Sequence, residues 1–248
     1  MKKIYLIVVI IVLVSGNSIL FDAKSEDNLE DILQKTTNTI LEKRLEENNK
    51  TEVVESGQII FKAKKSNLWL KEKSMDKKDT DEFVKITLPG KLYNPPKEIR
   101  NIEKKDVDRS TLENTVASVF SANKSGDLDW ISANFVDKDK EKIKALFENK
   151  KILEDSKLDA EKIISLRLIG QADYKDSVLV FVEQHYIDRR KMKEALVCKK
   201  TEKGWKVTNE FASDKTFDIV FAALSSGDVS LEGKESSPEE EAKNGSES

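Results

Sequence analysis

The chain reads as α+β: C-terminal helices packed on a curled antiparallel sheet, preceded by an N-terminal helix and a small β-rich segment. Three observations predict this. Between Leu112 and Phe147 apolar residues recur at three- and four-residue steps, the period of a half-buried helix. From Ile163 to Phe211 the period falls to two, the period of a strand. The turns joining these later segments are short and polar, so consecutive strands pair antiparallel.

The elements follow in order. Lys2 and Lys3 precede an unbroken apolar run, Ile4 to Val14, and then Ser15, Gly16, Asn17 and Ser18. This is the layout of a signal peptide over 1–18. At about 1.5 Å per residue the run reaches roughly 16 Å, half of a hydrocarbon core of about 30 Å, so an uncleaved anchor is the alternative. The single cysteine, Cys198, lies far from this run, which excludes a lipid attached at the N-terminus. Ser25 to Asn49 reads as a helix whose narrow stripe is Leu29, Ile32, Leu33, Ile40, Leu41 and Leu45. Such a stripe is unstable alone and must lie against its own chain or a partner. Leu29, Leu33, Ile40, Leu41 and Leu45 are therefore the candidate partner-binding residues.

Gln58–Phe61, Asn67–Leu70 and Phe83–Leu88 look like three short strands that complete a β-rich region over 25–88. Pro89-Gly90 and Pro95-Pro96 then predict a linker over 89–107. Ser110-Thr111-Leu112-Glu113 has capping-box spacing and opens a helix that Ser125-Gly126-Asp127 ends. Leu128, Ile131 and Phe135 form the inner face of a second helix, and Asp137 or Asp139 caps a third carrying Ile143, Leu146 and Phe147. Four strands are expected at Ile163–Tyr174, Ser177–Asp188, Met192–Thr201 and Trp205–Phe211. A final apolar segment, Phe217–Leu224, is too short to type. The tail 225–248 holds seven acids and two lysines and little apolar content, and is expected to be disordered.

Composition narrows the function. Charged residues make up 36% of the 248, but 43 basic side chains face 46 acidic ones, so no strongly basic face is implied and nucleic acid is not an expected partner. One cysteine makes no internal disulfide, and one cysteine with one histidine builds no zinc cluster. No nucleophile elbow or phosphate-binding glycine loop occurs, and Asp106, Asp108, Asp137 and Asp139 lack calcium-loop spacing. No cofactor or metal is expected.

Helices running into Ser125-Gly126-Asp127, the long strand from Ser177 to Glu183, and Lys203-Gly204-Trp205-Lys206-Val207 as a last hairpin together resemble the nuclear transport factor 2-like (SnoaL-like) superfamily over 108–224. The arrangement is similar to small bacterial envelope domains of that superfamily. The resemblance implies a cone-like domain, and it leaves function open, because the fold hosts isomerases, dehydratases, binding modules and dimerisation units alike.

His185 is the one imidazole, and strand alternation places it on the face of Phe181 and Glu183. A carboxylate two residues from a histidine supports proton transfer where the face lines a pocket. Glu183, His185 and Tyr186 are the weak catalytic candidates, and a solvated or ion-paired sheet face is the plainer explanation. Asp127 reads as a helix cap, Cys198 as a buried thiol, and Arg189-Arg190-Lys191 with Lys193 as a basic hairpin tip. The expected protein is exported and envelope-associated, periplasmic or membrane-associated, and non-catalytic. It binds another envelope protein, or itself through the sheet, and meets membrane only through an uncleaved N-terminus. The alternative is a small-ligand carrier or an isomerase- or dehydratase-like enzyme using the cone pocket.

Overall fold

The computed structural model describes residues 53–70 and 82–232. The signal segment 1–18, the helix 25–49 with Leu29, Leu33, Ile40, Leu41 and Leu45, and the tail from 233 onward lie outside the described residues. Within them the protein is α+β, an open seven-stranded antiparallel sheet with five α-helices. The strands are β1 (Val53–Lys64), β2 (Phe83–Ile99), β3 (Ile163–Tyr174), β4 (Ser177–Tyr186), β5 (Lys191–Thr201), β6 (Gly204–Val207) and β7 (Val229–Leu231). The helices are α1 (Leu112–Ser125), α2 (Leu128–Ala133), α3 (Asp137–Phe147), α4 (Lys150–Glu161) and α5 (Lys215–Ser226). Spatial order is β6-β5-β4-β3-β2-β1-β7.

Each helix is delimited by local chemistry. Thr111 caps α1 by accepting from Asn114 N at 3.1 Å, and Gly126 ends it at φ 69°, where a residue with Cβ would be strained. The cap is one residue later than the Ser110 box predicts, and Glu113 instead pairs with Lys97 at 3.0 Å. Asp127 caps α2 by accepting from Trp130 N at 2.9 Å, as its position suggests. Neither Asp137 nor Asp139 caps α3: the N-cap is Val136, and Asp139 is buried in the first turn. Asn149 caps α4 and Asp214 caps α5.

Both faces of the sheet are covered. On one, Leu166, Leu168, Val180, Val182 and Val207 meet Val116, Phe120, Ile131, Ile143 and Phe147 from α1–α3. Val178 and Trp205 pack at the margin of this core. On the other, Ile59, Phe61, Leu179, Phe181 and Val197 meet Phe217, Val220 and Leu224 of α5. Phe217–Leu224 is therefore part of a helix, apolar around most of its circumference and buried against strand residues that include Ile59, Phe61 and Val197.

Three expectations are corrected, and one helix appears where none was expected. The linker 89–107 is in part strand: β2 runs to Ile99 and pairs with β3, joining the N-terminal β-hairpin to the same sheet as the C-terminal strands. Pro95 and Pro96 are accommodated where the β2–β3 register shifts between Leu92 and Lys97, a place where the ladder needs no amide from them, while Pro89 lies opposite Gln58 of β1. Asn67–Leu70 is not a strand; a 3-10 turn at Lys65–Asn67 leads into a bend. A helix, α4, occupies Lys150–Glu161, where only Ser156 and Ala160 are fully buried, too sparse a pattern to register as a period. The tail does not begin at Ser225: α5 continues to Ser226, and Val229–Leu231 pairs with β1.

Candidate functional site

Strand alternation divides the predicted residues. Glu183 and His185 stand on the face of Phe181, toward the α5 side, while Gln184 and Tyr186 point into the layer under α1–α4. His185 Nε2 lies 2.5 Å from Glu183 Oε1, with side-chain exposures of 19% and 15%. The imidazole beside it holds the Glu183 carboxyl below the usual range against the opposing effect of burial.

This pair is one rung of a ladder that crosses four strands. In register, Glu98 of β2 faces Arg167 of β3, Arg167 faces Glu183, and Glu183 faces Lys193 of β5. Signs alternate along the row, with Arg167 Nε 3.7 Å from Glu98 and Lys193 Nζ 4.0 Å from Glu183. Two residues along, Ser165 faces His185 and donates to Glu98 Oε2 at 3.2 Å. Opposite charges placed directly across strands stabilise pairing. The ladder accounts for both Glu183 and His185 without a reaction.

Catalysis by these groups requires a concave space lined by them. A depression of about 520 Å³ opens over β1, β2 and β3, lined by Ser56, Gln58, Pro89, Lys91, Gln171 and Asp173 among others. None of Glu183, His185 and Tyr186 lines it. Among the described residues no group of three His, Cys, Asp or Glu is placed to hold a metal, and no helix is long and apolar enough to cross a membrane. Cys198 is fully buried, and burial pushes its thiol up to about 12.

Two polar groups were not legible beforehand. In the α1–α2 layer, Asn134 Oδ1 accepts from Arg109 Nη2 at 2.9 Å and from Ser118 Oγ at 2.6 Å, and Trp130 Nε1 donates to Ser118 Oγ at 2.9 Å. This network ties α1 to α2 and holds Arg109, whose guanidinium burial makes easier to deprotonate than usual. Under α4, Tyr186, Gln184 and Glu194 are buried together, and Tyr186 Oη contacts Asp159. Glu194 directly precedes the β5 run Ala195-Leu196-Val197-Cys198, and its sequence signal is an acid at the start of an otherwise apolar buried segment.

The β4–β5 turn is basic, as its sequence indicates. Arg190 pairs with Asp188 and lies over the Tyr186 ring at 4.6 Å. Beside it Ile187 and Met192 are 53% and 38% exposed, large apolar side chains on either side of Arg189 and Lys191.

No protein-family model matches this chain, and no curated protein matches it. A solved structure from Campylobacter jejuni, described as an NTF2-like transpeptidase, aligns with 39% of this chain and 97% of its own at 16% identity and a TM-score of 0.29. At that TM-score the likeness carries no argument about activity.

Proposed function

We propose that this is an exported, envelope-associated, non-catalytic binding protein whose residues 108–224 form a nuclear transport factor 2-like domain, extended by the β1–β2 hairpin and β7. The order of helices before a meandering antiparallel sheet supports the domain reading, and Lys2-Lys3 followed by Ile4–Val14 supports export. The observation that carries the non-catalytic reading is the split of the candidate residues: Glu183 and His185 are absorbed in a charge ladder on one face, while Tyr186 is buried on the other.

The partner is another envelope protein that presents acidic groups around apolar side chains. Ile187 and Met192, exposed beside Arg189, Lys191 and Lys193, are complementary to such a surface. Full-length protein is crosslinked in its native envelope, alone and as the I187D/M192D and L33D/L41D variants, and the products are identified by mass spectrometry. A stoichiometric partner lost in I187D/M192D supports the sheet end as the contact. Loss in L33D/L41D alone moves the contact to the N-terminal stripe. Equal recovery in both variants, or crosslinks only between copies of this chain, overturns the reading.

A further inference from the structure

Beneath α4, the donors and acceptors of four buried or half-buried side chains are mismatched. Tyr186 Oη is 2.7 Å from Gln184 Oε1 and 3.2 Å from Asp159 Oδ2, but a phenol has one proton and donates to one of them. Gln184 lies against Glu194, yet Gln184 Nε2 and Glu194 Oε2 both remain without a hydrogen-bond partner although fully enclosed. A buried donor and a buried acceptor left unmade are costly, so the cluster is poised between arrangements.

Two arrangements complete the bonds, and they differ by one proton. With Glu194 ionised, the Gln184 amide N–H turns to the carboxylate, and Tyr186 donates to Gln184 Oε1. With Glu194 protonated, its O–H donates to Gln184 Oε1. The inverted amide then donates from Nε2 to Tyr186 Oη, and the phenol proton is free to go to Asp159. Asp159 lies in the last turn of α4 and Tyr186 at the end of β4, so the second arrangement adds a side-chain tie to the backbone bond that Ile187 N makes with Lys162 O at 2.9 Å.

We propose that Glu194, Gln184, Tyr186 and Asp159 form a proton-operated latch, in which protonation of Glu194 inverts the Gln184 amide and hands the Tyr186 hydroxyl to Asp159, fastening the C-terminal end of α4 to β4. Loss of that proton to solvent reverses the sequence and frees Asp159. The bistable element is the amide, and the switch is a single buried carboxyl.

The surroundings favour a working range near neutrality. Burial pushes the Glu194 carboxyl up to about 7, with Gln184 pulling it down and Asp159 adding to the rise. The titratable and charged groups facing it are Asp159 from α4, Tyr186 from β4 and, over the Tyr186 ring, Arg190 from the β4–β5 turn. Burial also raises the Tyr186 phenol, with Asp159 and Glu194 adding to the rise, so it stays a donor throughout. Val182 and Leu196, its neighbours on the same face, are apolar.

The test is made on the full-length protein. Side-chain carboxyl NMR of glutamate-labelled protein follows every titration from about pH 4 to 9, and backbone hydrogen exchange, corrected for intrinsic rates, follows α4. One glutamate titrating near pH 7, with exchange at the end of α4 speeding up several-fold across the same range, is the expected result. E194Q removes that titration and flattens the exchange profile. D159N moves the midpoint down by about one unit at most, because a negative charge beside Glu194 has gone. The latch is overturned if every glutamate titrates below about pH 5.5, or if α4 exchange keeps its pH dependence in E194Q. Should E194Q fail to fold, Y186F decides: the glutamate still titrates, but α4 exchange no longer responds to it. A response that persists in Y186F overturns the latch.

Discussion

The carboxylate of Asp218 on α5 accepts the backbone N–H groups of Trp69 at 3.0 Å and Leu70 at 2.9 Å, so a helix near the end of the chain grips the bend that follows β1. Trp69 then rests against Phe221 on the same helix. Hydrogen bonds to a charged acceptor are worth about 1.5–3 kcal/mol. Asp218→Ala should therefore lower unfolding stability by about 2–4 kcal/mol, read as a urea midpoint. It should also expose the bend at Trp69 and Leu70 to limited proteolysis, while Asp218→Asn, which keeps one acceptor oxygen, should lose less.

Asn134 is the hub of the α1–α2 network, and removing it strands Arg109 and Ser118. Asn134→Ala should cost about 2–4 kcal/mol. Combining it with Ser118→Ala should cost less than the sum of the two, because the second loss removes groups already unpaired. A double-mutant cycle measured by denaturant unfolding checks this. Strict additivity would mean that the two residues act separately.

Close approach of β2 to β3 depends on glycine at two positions. A Cβ on Gly170 would sit 2.7 Å from Lys91 O and from Leu92 Cδ2, and one on Gly90 would sit 2.3 Å from Gln171 O. Both obstacles include backbone, which moves less readily than a side-chain tip. Gly170→Ala should cost about 1–3 kcal/mol and Gly90→Ala should cost more, as thermal or chemical unfolding will report.

Glu183 ionises more readily in the folded protein than in the unfolded chain, chiefly through His185. The stability it contributes is fully present above the ordinary glutamate range of about 4.3 and is lost as pH falls through its lower folded value. Stability curves of wild type and Glu183→Gln should thus lie apart at pH 6 and converge in acid. Parallel curves down to pH 3 would show that the ladder does not act through this charge.

Cys198 is enclosed between β4 and β6 and its thiol is driven toward the neutral form. A thiol-selective reagent at pH 8 should label native protein at less than about a hundredth of its rate on urea-unfolded protein, since only the thiolate reacts. Rapid native labelling would show that the sheet opens locally at this point.

Much of the C-terminal half was legible because single residues carry decisive signals there. Ile163–Tyr174 is an apolar-rich run bounded by polar residues and is a strand over that span despite two register shifts, and Asp127 follows a glycine and caps a helix. The N-terminal half was harder for a physical reason. Pro89-Gly90 and Pro95-Pro96 ordinarily punctuate, but here one pair lies where two strands nearly touch and the other in a register shift. The same limit applies to the site. Alternation places Glu183 with His185, but it cannot show that Arg167 and Lys193 flank them, since those neighbours come from other strands. Nor can it bring Asp159, in a helix with so faint a period, to the hydroxyl of Tyr186.

The edge strand β7 lies against β1: Leu231 faces Ile59, Lys62 N donates to Asp228 O, and Glu232 N donates to Gln58 O. The first described strand thus waits for the last. A polypeptide emerging with its N-terminus first cannot complete this edge until about 170 residues more have followed, which makes the closing contact among the most distant in the chain. Synthesis or threading through a narrow passage would deliver the hairpin β1–β2 early and leave Ile59 and Phe61 without their cover of α5 and β7. Folding order and direction of emergence are opposed at this edge, and the sheet among the described residues is completed only once β7 has emerged.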